Sequence, residues 1–136
     1  MRDFRKLDVW DRSHQLTLDV ATDSYPSNER FGLAAQMRRC AISIPSNIAE
    51  GAGRESRPDY ARFLGVAIGS AHELDYQLQL SKDLGYLGVI RYGELASDVV
   101  AVHSMLASLR KKVLANGGIS ESRVLSRGSR VEGLES

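Results

Sequence analysis

Apolar residues recur along this chain at a spacing of three and four, the pattern of helices that bury one face. The first such segment runs from about Asp8 to Ser24, with Val9, Trp10, Ser13, Leu16, Thr17 and Val20 along one side. The stretch Tyr25-Pro26-Ser27-Asn28 ends it, because proline disfavours a helical residue before it. A second segment begins near Asn28 or Glu29 and runs to about Gly51, on a stripe of Leu33, Met37, Cys40, Ala41, Ile44 and Ile48. Pro45 falls inside it. Proline removes one backbone donor and crowds the preceding turn, which predicts a kink, with Ser43 and Ser46 bonding the freed carbonyls.

The third segment starts after Pro58 and continues to about Leu84, with Tyr60, Phe63, Leu64, Ala67, Ala71, Leu74 and Leu78 on one side. Pro58 suits a first helical turn, and Gly85 suits a left-handed stop. The fourth runs from about Val89 to Ala115 on Leu95, Val99, Val102, Leu106, Leu109 and Val113, and Asn116-Gly117-Gly118 closes it. No strand-like alternation or internal repeat interrupts this pattern. Short connections force neighbouring helices to run antiparallel. The expected fold is therefore all-α, an antiparallel up-down-up-down four-helix bundle over residues 1–116. Residues 117–136, rich in serine, glycine and charge, have no apolar period and predict a flexible tail carrying Arg123, Arg127 and Arg130.

Composition agrees with one ordinary domain: 136 residues, 43% hydrophobic and 26% charged. The single cysteine, Cys40, lies on a core stripe and is expected to be a buried structural thiol. With neither disulfide pairing nor a secretory leader in view, the cytoplasm is the expected compartment. No apolar run approaches the roughly 20 residues that span a bilayer.

The net charge of +1 hides an uneven distribution. An up-down bundle gathers the start of the first helix, the second connection and the end of the fourth helix at one pole. The cations expected there are Arg2, Arg5, Lys6, Arg54, Arg57, Arg62, Arg110, Lys111 and Lys112. These nine face Asp3, Asp8, Glu50, Glu55 and Asp59, a balance of +4. At the other pole Asp19, Asp23, Glu29, Asp83, Glu94 and Asp98 outnumber Arg30, Lys82 and Arg91, a balance of −3. Cations near helix C-termini offset the helix dipole, which accounts for Arg54, Arg110, Lys111 and Lys112. Arg2, Arg5, Lys6, Arg57 and Arg62 sit at or before N-termini, where the dipole gives no such reason. The set is the candidate surface for a phosphate backbone.

Counting back from the turns also puts His14, Arg38, Arg39, His72, Glu73 and His103 at one height. The Glu-x-x-His pairs of metal-binding bundles are missing, so no metal or cofactor is expected. The default is a polar layer with Arg38 or Arg39 paired to Glu73 or Asp75. Gly65 and Gly69 lack the context of a phosphate loop and read as small residues that let helices approach. There is no Gly-x-Ser-x-Gly elbow, and no small-molecule substrate is expected.

The string Arg38-Arg39-Cys40-Ala41-Ile42-Ser43-Ile44-Pro45-Ser46-Asn47-Ile48-Ala49-Glu50-Gly51 resembles the four helix bundle proteins also called 23S rRNA intervening-sequence proteins. The resemblance continues through Phe4-Arg5-Lys6-Leu7-Asp8-Val9-Trp10, Glu29-Arg30-Phe31-Gly32-Leu33, Arg62-Phe63-Leu64 and Gly69-Ser70-Ala71-His72-Glu73-Leu74. It covers residues 1 to about 115 and departs at Cys40, where alanine is expected. It implies a bacterial, non-enzymatic bundle that assembles as a homopentamer, in many cases encoded within insertions in 23S rRNA genes. The related accessory proteins of diversity-generating retroelements form similar barrels and bind nucleic acid and a reverse transcriptase through basic surface.

No catalytic residue is carried over. In such an assembly Pro45, Asn47 and Glu50 become candidates for the subunit interface. The expected function is RNA or nucleoprotein binding through the basic pole. The alternative is a homo-oligomeric scaffold for another protein, with no nucleic-acid role.

Overall fold

The structure, a computed structural model, describes residues 2–23, 25 and 32–118, with residues 116–118 described by backbone alone. After a 3₁₀ turn at Phe4–Lys6 come four helices: α1 Asp8–Thr22, α2 Leu33–Ala52, α3 Arg57–Asp83 and α4 Val89–Gly118. Packing is cyclic. The helix α2 lies against α3, α3 against α4, and α1 closes the ring against α2 and α4. The result is an antiparallel four-helix bundle, with no strand among the described residues.

The apolar stripes meet in one core. Leu16 and Val20 of α1, Met37, Ile44 and Ile48 of α2, Leu64, Leu74 and Leu78 of α3, and Leu95, Leu106 and Leu109 of α4 are fully buried. Burying each such side chain contributes about 1.5–3 kcal/mol. Trp10, Leu33, Thr17 and Phe63, also on the expected stripes, are only half-buried.

Several boundaries have visible causes. Ser56 caps α3 by accepting the Asp59 amide at 3.2 Å on its hydroxyl. At the other end Gly85 takes φ of +81°, its N–H bonds Lys82 O at 2.9 Å, and Tyr86 N–H bonds Ser81 O at 2.9 Å. That paired closure needs a left-handed residue, hence glycine. The first helix stops at Thr22 rather than Ser24. The second begins at Leu33, and the earlier start expected at Asn28 or Glu29 lies outside the described residues. The fourth continues through Asn116 to Gly118, past the expected stop. The tail expectation for 119–136 falls outside the described residues.

Helix α2 runs unbroken through Pro45. The missing donor is replaced neither by Ser43 nor by Ser46. Thr17 of α1 instead donates its hydroxyl to Ala41 O, the carbonyl four residues before Pro45, at 3.0 Å. Ser43 is otherwise engaged, with Ser70 Oγ at 2.8 Å and the Asn47 amide at 3.0 Å.

The small residues also differ from expectation. A side chain on Gly69 would meet nothing within 4 Å, so this glycine does not serve helix approach. Gly65 faces the guanidinium of Arg110. The tight crossing is at Gly51, where a Cβ would lie 2.9 Å from Phe63 Cβ and 3.2 Å from the Tyr60 carbonyl oxygen.

Candidate nucleic-acid interface

One end of the bundle is built around the turn between α2 and α3. Arg2 reaches back over it, donating Nη1 to Arg54 O at 2.7 Å and to Ala52 O at 3.3 Å. The same guanidinium lies over the Tyr60 ring, 4.7 Å from its centre. Arg54 pairs with Glu50 at 2.9 Å and with Asp59 at 3.6 Å. Arg62 donates Nε to Asp59 at 2.9 Å. Arg110 comes from α4 and donates Nε to Ala61 O at 3.0 Å. Arg2, Arg54, Arg62 and Arg110, far apart in sequence, thus meet at one pole.

These cations do different work. Arg2 and Arg110 bond carbonyls and fasten elements together, and Arg54 closes the turn. Arg5 and Arg62 are outward, with side chains 70% and 61% exposed. Each is braced on an aromatic ring: Arg5 on Phe4 and Arg62 on Phe63, both at 4.4 Å. Arg54 also lies on Phe63, at 4.7 Å. The side chains of Lys6, Arg57, Lys111 and Lys112 have no hydrogen bond or ion pair to any described residue. Their helix ends place them at the same pole.

The opposite pole is centred on Arg91. Its Nε bonds both carboxylate oxygens of Asp23 at 2.9 and 3.0 Å, and Nη1 bonds Glu94 at 3.1 Å. Asp19 lies 3.9 Å from Nη2. These carboxylates, the Asp23 hydrogen bonds foremost, hold the guanidinium charged still more firmly than usual. Asp98, assigned to this pole, instead pairs with Arg12 across α1 and α4 at 3.1 Å. Glu29 and Arg30 lie outside the described residues.

The expected mid-bundle layer divides. His14 stacks on Trp10 at 5.0 Å, whereas His72 and His103 meet edge to face at 4.5 Å. No group of three metal-ligating side chains forms among the described residues. Arg38 lies over the Tyr25 ring, and no ion pair joins Arg38 or Arg39 to Glu73 or Asp75. Arg39 and Glu73 instead border a polar hollow of about 360 Å³ with Gln36, Cys40, Ser43 and Ser70. Inside it Cys40 donates its thiol to Ser70 O at 3.1 Å. Burial, then the nearby Glu73, pushes that thiol up to about 12, which leaves it protonated and unreactive at neutral pH.

Of the three interface candidates, Pro45 is buried within the bundle itself. Asn47 turns its amide back to Ser43 O at 2.7 Å. Glu50 is exposed but tied to Arg54. Two features escaped the sequence reading: the Thr17 donor and the Gly51 crossing. Only the first had a signal, since Pro45 by itself announces a carbonyl in need of a donor.

The profile of a family described as 23S rRNA-intervening sequence protein matches residues 5–108. Four chains of known structure match. One is the crystal structure of a protein of unknown function from the S23 ribosomal protein family of Bacteroides thetaiotaomicron VPI-5482. It is 25% identical with a TM-score of 0.71, over 76% of this chain and 95% of that one. No curated protein matches the chain. No described helix is long and apolar enough to cross a membrane.

Proposed function

Because the chain belongs to the 23S rRNA-intervening sequence protein family, we propose that it is a non-enzymatic, self-assembling bundle that binds RNA through its basic pole. One observation carries the reading. The side chains of Lys6, Arg57, Lys111 and Lys112 lie at a single end without a hydrogen-bond or ion-pair partner among the described residues, while Asp19, Asp23 and Glu94 of the other end are gathered on Arg91. A cation whose donors are all engaged within the fold has little to gain from a phosphate. An unpaired one releases the phosphate's counterions and binds with a steep salt dependence.

The test is binding of the full chain to a structured RNA at several salt concentrations. Lys6→Glu, Arg57→Glu and Lys111→Glu together should weaken binding at least tenfold and flatten the salt slope by about one unit per contact. Helix content and unfolding temperature should stay near those of the parent. Unchanged binding would remove the pole from consideration.

A scaffold for another protein is the second reading. It is favoured by Val89 and Ile90, 76% and 81% exposed at the start of α4 on the acidic end. That reading predicts a protein partner captured at moderate salt and lost on Ile90→Glu, with no RNA affinity. Self-assembly is supported by exposed Ile42 on α2 and Val66 on α3. A native mass of five chains by light scattering is the expected result.

A further inference from the structure

The aromatic rings at the basic pole are already occupied. Tyr60 is buried beneath Arg2. Phe4 carries Arg5 and meets Trp10 edge on at 5.1 Å. Trp10 in turn stacks on His14. Phe63 carries both Arg54 and Arg62. Proteins that read single-stranded bases need open ring faces on which bases stack. This end spends its rings on supporting guanidinium groups.

A guanidinium laid flat on a ring is held in one plane with its N–H edge directed outward, and its rotamer freedom is already reduced. The planar fork then matches two phosphate oxygens at once. Arg62 commits Nε to Asp59, which fixes the plane further and leaves its two terminal nitrogens for a ligand. Arg5 lies 3.8 Å from Asp3, beyond hydrogen-bond length, at the more exposed of the two positions.

We propose that Arg5 and Arg62, braced on Phe4 and Phe63, are paired-donor forks that grip backbone phosphates of RNA, so that this pole reads the backbone and leaves the bases unread. The inference rests on the RNA-binding reading above and specifies its chemistry. The unpartnered lysines supply attraction at a distance, and the two forks supply geometry at contact. Lysine keeps the charge at these positions but has neither the fork nor the flat face, so exchanging arginine for lysine separates the two contributions.

The experiment measures affinity of the full chain for one RNA strand, for the same sugar-phosphate strand without bases, and for a length-matched duplex, all at one ionic strength. The chain is compared with Arg5→Lys, Arg62→Lys and, as a control away from this pole, Arg39→Lys on the exposed side of α2. Removing the bases should change affinity less than threefold, because no stack is lost. A single lost base–aromatic stack would lower it about five- to a hundredfold. Arg5→Lys and Arg62→Lys should each weaken binding about fivefold or more with an unchanged salt slope, and Arg39→Lys should leave it within twofold. Thermal unfolding of each variant, recorded alongside, identifies any loss that comes from the fold.

If both lysine variants bind as the parent does while charge reversal at Lys6, Arg57 and Lys111 abolishes binding, the forks are overturned and the pole stands. A tenfold loss on the strand without bases overturns backbone reading. Failure of the parent chain to bind any of the three ligands overturns the RNA-binding reading itself.

Discussion

The hydroxyl of Thr17 on α1 lies 3.0 Å from the carbonyl oxygen of Ala41 on α2, the acceptor that Pro45 leaves without its helical partner. A buried carbonyl without a donor costs about 1–3 kcal/mol, so a neighbouring helix makes good a defect in this one. The same hydroxyl is 2.8 Å from Ser13 O, and its one hydrogen is shared between the two acceptors. Thr17→Val, nearly the same in shape, should destabilise the protein by about 1–2 kcal/mol in urea unfolding. In a Pro45→Ala background the local amide again serves Ala41, and the Thr17→Val cost should fall by at least half. Equal costs in both backgrounds would dissociate the two residues.

Two glycines should respond oppositely to alanine. At Gly51 the added Cβ meets Phe63 Cβ and the Tyr60 carbonyl, neither of which is the loose end of a side chain. The expected loss is about 1–3 kcal/mol. At Gly69 it meets open space inside a helix, and the expected gain is about 0.5–1 kcal/mol. Chemical denaturation of the two variants reads both signs.

Arg91 ties α4 to the end of α1 through Asp23, whose side chain is 15% exposed. Arg91→Met should lower stability by about 1 kcal/mol, since the arginine is a third exposed and solvent screens part of the attraction. The loss should shrink in 1 M salt. Asp83→Asn at the same pole, an exposed partner of Lys82 at 3.8 Å, should change stability by less than about 0.5 kcal/mol.

Alkali should destabilise this protein through two groups that folding holds protonated. Burial raises the Cys40 thiol from 9.0 to about 12, and burial with Asp23 raises the Tyr25 hydroxyl from 10.0 to about 12. Both folded values lie above the unfolded ones. The stability these groups contribute is therefore complete below about pH 9 and is lost as pH rises toward 12. Unfolding free energy should drop in that window by up to about 1.4 kcal/mol per pH unit for each group. Cys40→Ala should flatten the lower part of the fall. A pH-independent stability from 9 to 11 would contradict the burial of both groups.

Much of this architecture was legible because helices announce themselves by apolar spacing. Leu95, Val99, Val102, Leu106, Leu109 and Val113 all reach the core as their period requires. Chain direction then carried Arg2, Arg54, Arg62 and Arg110 to one end. What spacing cannot give is which partner each side chain finds. Arg2 and Arg110 bond backbone carbonyls, and Asp98 finds Arg12, because these outcomes depend on helix rotation and axial offset in three dimensions. Gly65 and Gly69 look alike in sequence to Gly51, yet only Gly51 sits where two backbones nearly touch.

The grip of Arg2 on the carbonyls of Ala52 and Arg54 bears on how the molecule could come apart. It spans 50 residues or more and fastens the front of the chain to the far end of the second helix, like a buckle across a strap. The first helix is thus tethered at both ends, and it cannot swing out to exchange with the matching rod of another copy until that buckle opens. Arg2→Ala would loosen the flap, and swapped dimers would be the form in which the loosening shows.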